Sequence, residues 1–217
     1  MATILQNPVI APMLERARIR TYAKGQTILY PDDRSPDLFL IKDGAVSMHD
    51  IDDEGSRKVL HIFGPLALFP MVSFSTSLAP SAWFYTALAD TDVYLLSYAE
   101  VKEQLENANG VSAYNLFLKQ SLDEIHELLV RLNSATKTTS LGKLIAALKF
   151  LGTHHIKARS GTWQPVRFAV PHQLLADMTG LTRETVSVTM KQLYDDKIAR
   201  YPASGKLELN CTKLFKV

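Results

Sequence analysis

The sequence predicts an α+β chain: an N-terminal β-barrel of jelly-roll-like character, one long helix, and a C-terminal winged helix-turn-helix. Three observations carry that prediction. Residues 19–96 break into short apolar runs separated by turn chemistry, the pattern of a small sandwich or barrel. Residues 111–133 repeat apolar side chains every seven positions. Residues 175–193 read as two helices around a tight glycine turn. The corresponding boundaries are 1–106, 107–135 and 136–217.

In the first segment, residues 38–41, 45–49, 59–63 and 93–96 are strand-like, being rich in Val, Ile, Leu and Phe. Lys24-Gly25, Pro31-Asp32-Asp33, Asp43-Gly44, residues 52–55 and Gly64-Pro65 supply the turns between strands. A short helix is expected over residues 98–106, with a break at 107–110.

The long helix follows. Val111, Leu118, Ile125 and Leu132 recur every seven residues, with Tyr114, Ser121, Leu128 and Ala135 at the second seam position. A narrow seam sustained over more than three heptads calls for a partner helix, so a two-stranded coiled coil between two copies is expected. Leu122 and Leu129 widen the apolar face and are expected against the chain's own barrel. The alternative is an amphipathic helix packed only within one subunit.

Residues 133–140 are polar and lack periodicity, which makes them the candidate hinge. Residues 141–151 resume as an apolar helix. Residues 152–165 read as a polar loop in which His154-His155 is solvated, and 166–170 as a short strand before Pro171 starts the next helix. Residues 198–201 and 206–210 flank Pro202-Ala203-Ser204-Gly205 as a β-hairpin wing. Cys211 is expected as a half-buried strand residue.

Within the helix-turn-helix, Ala176 is small where two helices approach closely. Gly180 supplies a left-handed turn, and Thr182 can cap the second helix. Val186, Met190 and Leu193 recur on its inner face, while Arg183, Glu184, Ser187 and Lys191 point outward. That arrangement puts side chains on base edges in a major groove. An ordinary helical hairpin with a charged face is the plainer alternative. The charge distribution weighs against it: residues 1–133 hold 11 Lys and Arg against 17 Asp and Glu (−6), whereas residues 134–217 hold 13 against 5 (+8). A basic third on an acidic body is the footprint of a nucleic-acid-binding domain joined to another.

Composition bounds the rest. The 217 residues suit two modest domains, and 47% hydrophobic and 21% charged residues are ordinary for a globular protein. One cysteine, Cys211, excludes an internal disulfide and any four-cysteine zinc or iron–sulfur site. The chain shows neither a spanning segment nor a signal peptide's apolar core, so a cytoplasmic protein without a membrane partner is expected.

Arg183-Glu184-Thr185-Val186 and the helix before it resemble the recognition motif of the Crp/Fnr superfamily of bacterial transcription regulators. The resemblance extends over nearly the whole chain, through Lys24-Gly25-Gln26-Thr27-Ile28, residues 38–46, Asp53-Glu54-Gly55 and Phe63-Gly64-Pro65 in the sensor barrel. It implies base contacts by Arg183, Glu184, Ser187 and Val188, and backbone contacts by Thr182, Thr185 and Lys191. Arg183 would bond guanine O6 and N7, and Glu184 a cytosine or adenine amino group. The Ser187 hydroxyl can bond a base while its Cβ approaches a thymine methyl. Many family members carry arginine where this chain has Val188, so a TG-containing half-site relaxed at its inner guanine is expected, with palindromic half-sites about one helical turn apart. RNA polymerase is the further partner the family implies.

The sensor departs from the cyclic-nucleotide pattern, a Gly-Glu pair followed by Arg-Ser or Arg-Thr. Ser81 survives, but Pro80 stands in place of the arginine and the glutamate is missing from Gly64-Pro65-Leu66-Ala67-Leu68-Phe69. Without that counter-charge, cyclic AMP is not the expected effector. Leu66, Phe69, Met71, Ser81 and Trp83 could instead line a pocket for an apolar or aromatic ligand, or be simply barrel core. Haem on His49 or His61 stays open, an iron–sulfur cluster does not, and no metal site is expected. No Ser/His/Asp arrangement or phosphate loop points to an enzyme. The expectation is therefore a homodimeric, effector-gated regulator. Its rivals are a constitutively competent regulator controlled by abundance or a protein partner, and a barrel enzyme with an appended DNA-binding domain.

Overall fold

A computed structural model describes residues 4–70, 80–106, 111–156 and 162–217. The chain divides into two compact units, residues 1–48 with 62–127 and residues 49–61 with 128–217.

Among the described residues the N-terminal part of the chain forms eight strands: β1 (Arg18–Tyr22), β2 (Thr27–Leu29), β3 (Asp37–Asp43), β4 (Val46–Ile51), β5 (Arg57–Phe63), β6 (Leu68–Phe69), β7 (Phe84–Ala87) and β8 (Thr91–Ser97). They form two four-stranded sheets, ordered β1-β8-β3-β6 and β2-β7-β4-β5. Two sheets that exchange consecutive strands in this way are the jelly-roll arrangement. The outer parts of β4 and β5, residues 49–61, group with the second unit. β8 pairs antiparallel with both β1 and β3, with Leu95 opposite Arg18 and Phe39. The Asp43-Gly44 turn is sterically fixed. Gly44 has φ +101°, and a Cβ there would lie 2.4 Å from Thr91 Oγ1 and 2.7 Å from Thr91 Cα.

Two helices complete this unit's core. α1 (Ile10–Arg16) was not foreseen from the sequence, being only seven residues long with Pro12 inside. It starts where the buried Asn7 accepts the amides of Val9 and Ile10 at 3.0 and 3.2 Å. Ile10 and Met13, three apart on one face, join Leu38, Leu40, Leu68 and Leu96 in the core. α2 (Tyr98–Glu106) adds Val101 to the same cluster.

The long helix α3 (Val111–Ala135) departs from one expectation, the burial of Leu122 and Leu129. Ala113 and Phe117 are buried, Ser121 and Leu128 are half-buried, and the Ser121 hydroxyl donates back to Phe117 O at 3.0 Å. Leu122 and Leu129, expected inside, are 56% and 59% exposed. They continue the exposed line of Leu118, Ile125 and Leu132, so the open stripe steps 4, 3, 4, 3 along the helix. Ser121 and Leu128, expected at the second seam position, are thus less open than Leu122 and Leu129 one residue later, since a helix with apolar residues at adjacent positions offers two candidate faces.

The second unit contains α4 (Ser140–His154), β9 (Trp163–Pro165), α5 (His172–Thr179), α6 (Arg183–Asp195), β10 (Ala199–Arg200), β11 (Glu208–Asn210) and α7 (Cys211–Leu214). Residues 136–139 alone separate α3 from α4, and Thr139 Oγ1 caps α4 by accepting the Gly142 amide at 3.1 Å. β10, β11 and β9 form an antiparallel sheet whose β10–β11 hairpin is the expected wing.

Three expectations fail here. The strand placed at 166–170 lies earlier, at Trp163–Pro165, and Val166 makes only an isolated bridge to Ile156. Phe168 and Val170 are apolar because they are buried, not because they pair. The residues at 152–154 continue α4, and His155 is buried with its ring edge-on to Phe168 at 5.3 Å, not solvated. Cys211 is half-buried but opens a helix capped by Asn210, which accepts the Lys213 amide at 3.1 Å.

Candidate nucleic-acid interface

α5 and α6 pack against α4 and each other through Leu144, Leu148, Leu175, Val186, Met190 and Leu193, all buried. Ala176 is buried where the two helices meet. Its carbonyl accepts the Gly180 amide at 2.9 Å, and Gly180 adopts φ +66°, the left-handed stop that ends α5. Thr182 is extended and its Oγ1 accepts the Thr185 amide at 3.2 Å, starting α6 two residues beyond the glycine.

This geometry fixes the outward face of α6. Arg183, Glu184, Lys191 and Val188 are exposed, the last at 68%. An isolated valine on a polar helix face has no packing role in the chain itself. Thr182 and Thr185 lie together at the helix start, their hydroxyls 2.9 Å apart. Ser187 differs from the rest. Its hydroxyl donates to Arg183 O at 2.9 Å and lies 2.8 Å from His172 Nδ1. His172 was not foreseen, since a histidine at a helix start carries no sequence signal of a partner fifteen residues on. Beside the helices, Arg200 pairs with Glu208 at 2.7 Å and stacks over Trp163 at 4.3 Å, stiffening the wing.

A helix started by Thr182, buried along Val186-Met190-Leu193 and open along Arg183-Glu184-Val188 is the reading half of a helix-turn-helix. Residues 142–211 match the Crp-like helix-turn-helix domain, and residues 19–108 match the Cyclic nucleotide-binding domain. The chain belongs to the Crp/Fnr superfamily. It is a DNA-binding transcription regulator of the Crp/Fnr type.

Among regulators of known sequence it is similar to the HTH-type transcriptional regulator ArcR of Staphylococcus haemolyticus, 24% identical over 201 residues, 91% of this chain and 86% of that one. Among solved structures, FixK2 from Bradyrhizobium japonicum superposes with a TM-score of 0.75 at 18% identity, covering 92% of this chain and 96% of that one. The c-di-GMP responsive global regulator CLP of Xanthomonas campestris gives 0.73 at 16% identity, with 93% and 97% covered. These structural likenesses share the fold.

In this Crp/Fnr chain the first unit holds the residues proposed to line an effector pocket. Phe69 is fully buried in an aromatic stack, 5.1 Å from Phe39 and 5.2 Å from Tyr85. Ser81 is buried, and its hydroxyl donates to Trp83 O at 2.7 Å while its own backbone bonds Asp32 and Asp33. Trp83 is half-buried, and Leu66 is partly exposed at φ +72°. Met71 lies outside the described residues. Pro80 is exposed. One group in this unit escaped the sequence reading: Glu124 on α3, whose carboxyl is pushed up to about 7 by burial and then by the charge of Glu127. Its charge acts on Tyr85, whose hydroxyl burial already raises. Nothing in the heptad pattern distinguishes a half-buried glutamate from an exposed one.

His49 and His61 are both buried. The His61 ring meets Phe150 edge-on at 5.7 Å and is held down to about 3, by burial first and then by Arg131 and His154. Among the described residues no group of three or more His, Cys, Asp and Glu could hold a metal ion, and no helix is long and apolar enough to cross a membrane.

Proposed function

We propose that the protein is a cytoplasmic, homodimeric regulator without enzymatic activity, and that two copies of α6 read a palindromic DNA site. Residues 1–106 sense, 107–135 dimerise and 136–217 bind DNA. The observation that carries this reading is the exposed apolar stripe Leu118, Leu122, Ile125, Leu129 and Leu132 along α3. Five large apolar side chains at heptad spacing form a seam that a second α3 would cover. With two recognition helices in one dimer, half-sites fall about one helical turn apart. Arg183, Glu184 and Val188 supply the base contacts, Ser187 contributes through its Cβ, and Thr182, Thr185 and Lys191 hold the backbone. RNA polymerase is the partner through which DNA binding becomes regulation.

The effector is not a cyclic nucleotide. Pro80 offers no counter-charge, and the Ser81 hydroxyl is spent on Trp83 O. A ligand of apolar or aromatic character in the first unit would alter the packing of α3 and re-aim the recognition helices through residues 136–139, provided it binds the two arrangements unequally. The packed surroundings of His49 and His61 support structural roles for both over haem ligation. A second reading, competence without any small molecule, is favoured by the packing of two of these residues: Phe69 lies in an aromatic stack with Phe39 and Tyr85, and the Ser81 hydroxyl donates to Trp83 O.

Analytical ultracentrifugation of wild type and a Leu118→Asp/Ile125→Asp variant tests the dimer. The wild type sediments as two chains and the folded variant as one, with loss of palindromic DNA binding. A variant that stays dimeric contradicts the seam.

A further inference from the structure

Ser187 stands one turn after Arg183, where a base-reading hydroxyl belongs, yet its oxygen is turned back into the protein. It donates to Arg183 O at 2.9 Å and lies 2.8 Å from His172 Nδ1, while His172 Nε2 lies 3.2 Å from the Tyr194 hydroxyl. One proton assignment satisfies all three bonds. The single Ser187 proton goes to Arg183 O, so Nδ1 carries the ring proton and donates to Ser187, and the bare Nε2 accepts from Tyr194. Burial, and after it the charge of Arg183, lower the His172 pKa, the direction that favours the neutral ring of this tautomer. The ring is walled by Tyr201, 5.8 Å away, whose hydroxyl donates to Val170 O, and Tyr201 meets Tyr194 edge-on at 6.2 Å. The first residue of α5, the middle of α6 and the chain after β10 therefore converge on one imidazole.

We propose that His172, outside the recognition helix, is a positioning residue that sets sequence preference by holding the Ser187 hydroxyl away from the base edges. The proposal rests on the reading of α6 as the helix that contacts bases. With His172 in place, position 187 presents a methylene next to the exposed methyls of Val188, and the base feature that fits such a surface is the thymine methyl. Released from His172, the hydroxyl can rotate into the groove. There it donates to a guanine or thymine oxygen or accepts from an adenine or cytosine amino group, and discrimination at that base pair is lost.

Selection from randomised duplexes, with binding measured on the selected site, tests this in the full-length protein. Asparagine places an amide nitrogen near the position of Nδ1 and glutamine one near Nε2, so His172→Asn keeps the bond to Ser187 and His172→Gln does not. Ser187→Ala, which keeps the Cβ and removes only the hydroxyl, and His172→Asn are both expected to select a consensus with the wild-type preference at the base pair facing position 187. His172→Gln is expected to select a consensus degenerate at the base pair facing position 187, and His172→Gln/Ser187→Ala to recover the wild-type preference. A loss of about tenfold or more in Ser187→Ala would show a base-reading hydroxyl and overturn the proposal. So would a folded His172→Gln protein that selects the wild-type consensus. Arg183→Ala separates the two layers: its loss of all sequence preference upholds α6 as the reading helix whatever His172 does, and its retention removes the ground of both.

Discussion

Arg131, near the end of α3, donates from Nη2 to the Val59 carbonyl at 2.6 Å and so ties that helix to the hairpin of β4 and β5. The same guanidinium lies 5.1 Å over the Phe150 ring, which also receives the edge of His61. A planar cation that stacks and donates at once cannot be copied by an ammonium. Arg131→Lys and Arg131→Ala are both expected to speed amide hydrogen exchange at residues 57–61, with Arg131→Ala destabilising the hairpin contact by about 2 kcal/mol. Unchanged exchange in both variants would mean that the contact holds nothing.

His61 makes the same region acid-sensitive. Its folded pKa is about 3 against an ordinary 6.5, so between those values the unfolded chain binds a proton that the folded one refuses. Stability from this group is present above pH 6.5 and is lost as the pH falls toward 3, on the order of a few kcal/mol over the full window. Exchange protection at residues 57–61 should therefore drop between pH 6.5 and 4 in wild type, and much less in His61→Phe.

Glu124 carries the opposite sign. Its folded pKa is about 7 against an ordinary 4.5, so the folded state holds the proton more tightly than the unfolded one. Between those values stability falls as pH rises, and the ionised carboxylate is a burden above pH 7. Glu124→Gln is expected to raise stability by roughly 1–3 kcal/mol at pH 8 and by little at pH 4.5. Thermal melts at the two pH values measure it, and an equal gain at both would assign the effect to something other than ionisation.

The register of α3 has its own test. Leu122→Ala/Leu129→Ala should weaken the proposed dimer, since both side chains lie on the open stripe. Ser121→Ala should leave it unchanged, because that hydroxyl is already bonded within its own helix. Dissociation constants from dilution series distinguish the two, and the reverse order would restore the seam through Ser121.

At the turn, Gly180→Ala should cost about 1–2 kcal/mol from backbone strain alone, since φ is +66° and a Cβ would meet nothing within 4 Å. Thr182→Ala should cost about 1 kcal/mol through the lost cap. Chemical denaturation reads both. A much larger loss for Gly180→Ala would point to a contact that the open space around it does not offer.

The recognition unit was legible because its signals are local. Ala176, Gly180, Thr182 and the Val186-Met190-Leu193 face all act within a few residues, and each stands where the sequence placed it. Strand positions in the first unit were legible for the same reason, through turns such as Asp43-Gly44. What escaped is non-local. The side of α3 that carries Leu122, the burial of His155 and the ionisation of Glu124 depend on chain far away in sequence. The His172–Ser187 bond spans only fifteen residues, yet no periodicity encodes a hydrogen bond between two polar side chains.

The most direct test of the account is footprinting of genome fragments selected by the purified, ligand-free protein, with and without extract of the source cells. Two protected half-sites about one helical turn apart, related by a two-fold axis, are expected, with no such protection by the Arg183→Ala protein. Protection already tight without extract selects the effector-free reading, and protection sharpened by extract selects the gated one. A single unpaired half-site, or binding blind to sequence under both conditions, would contradict a dimer reading DNA through α6.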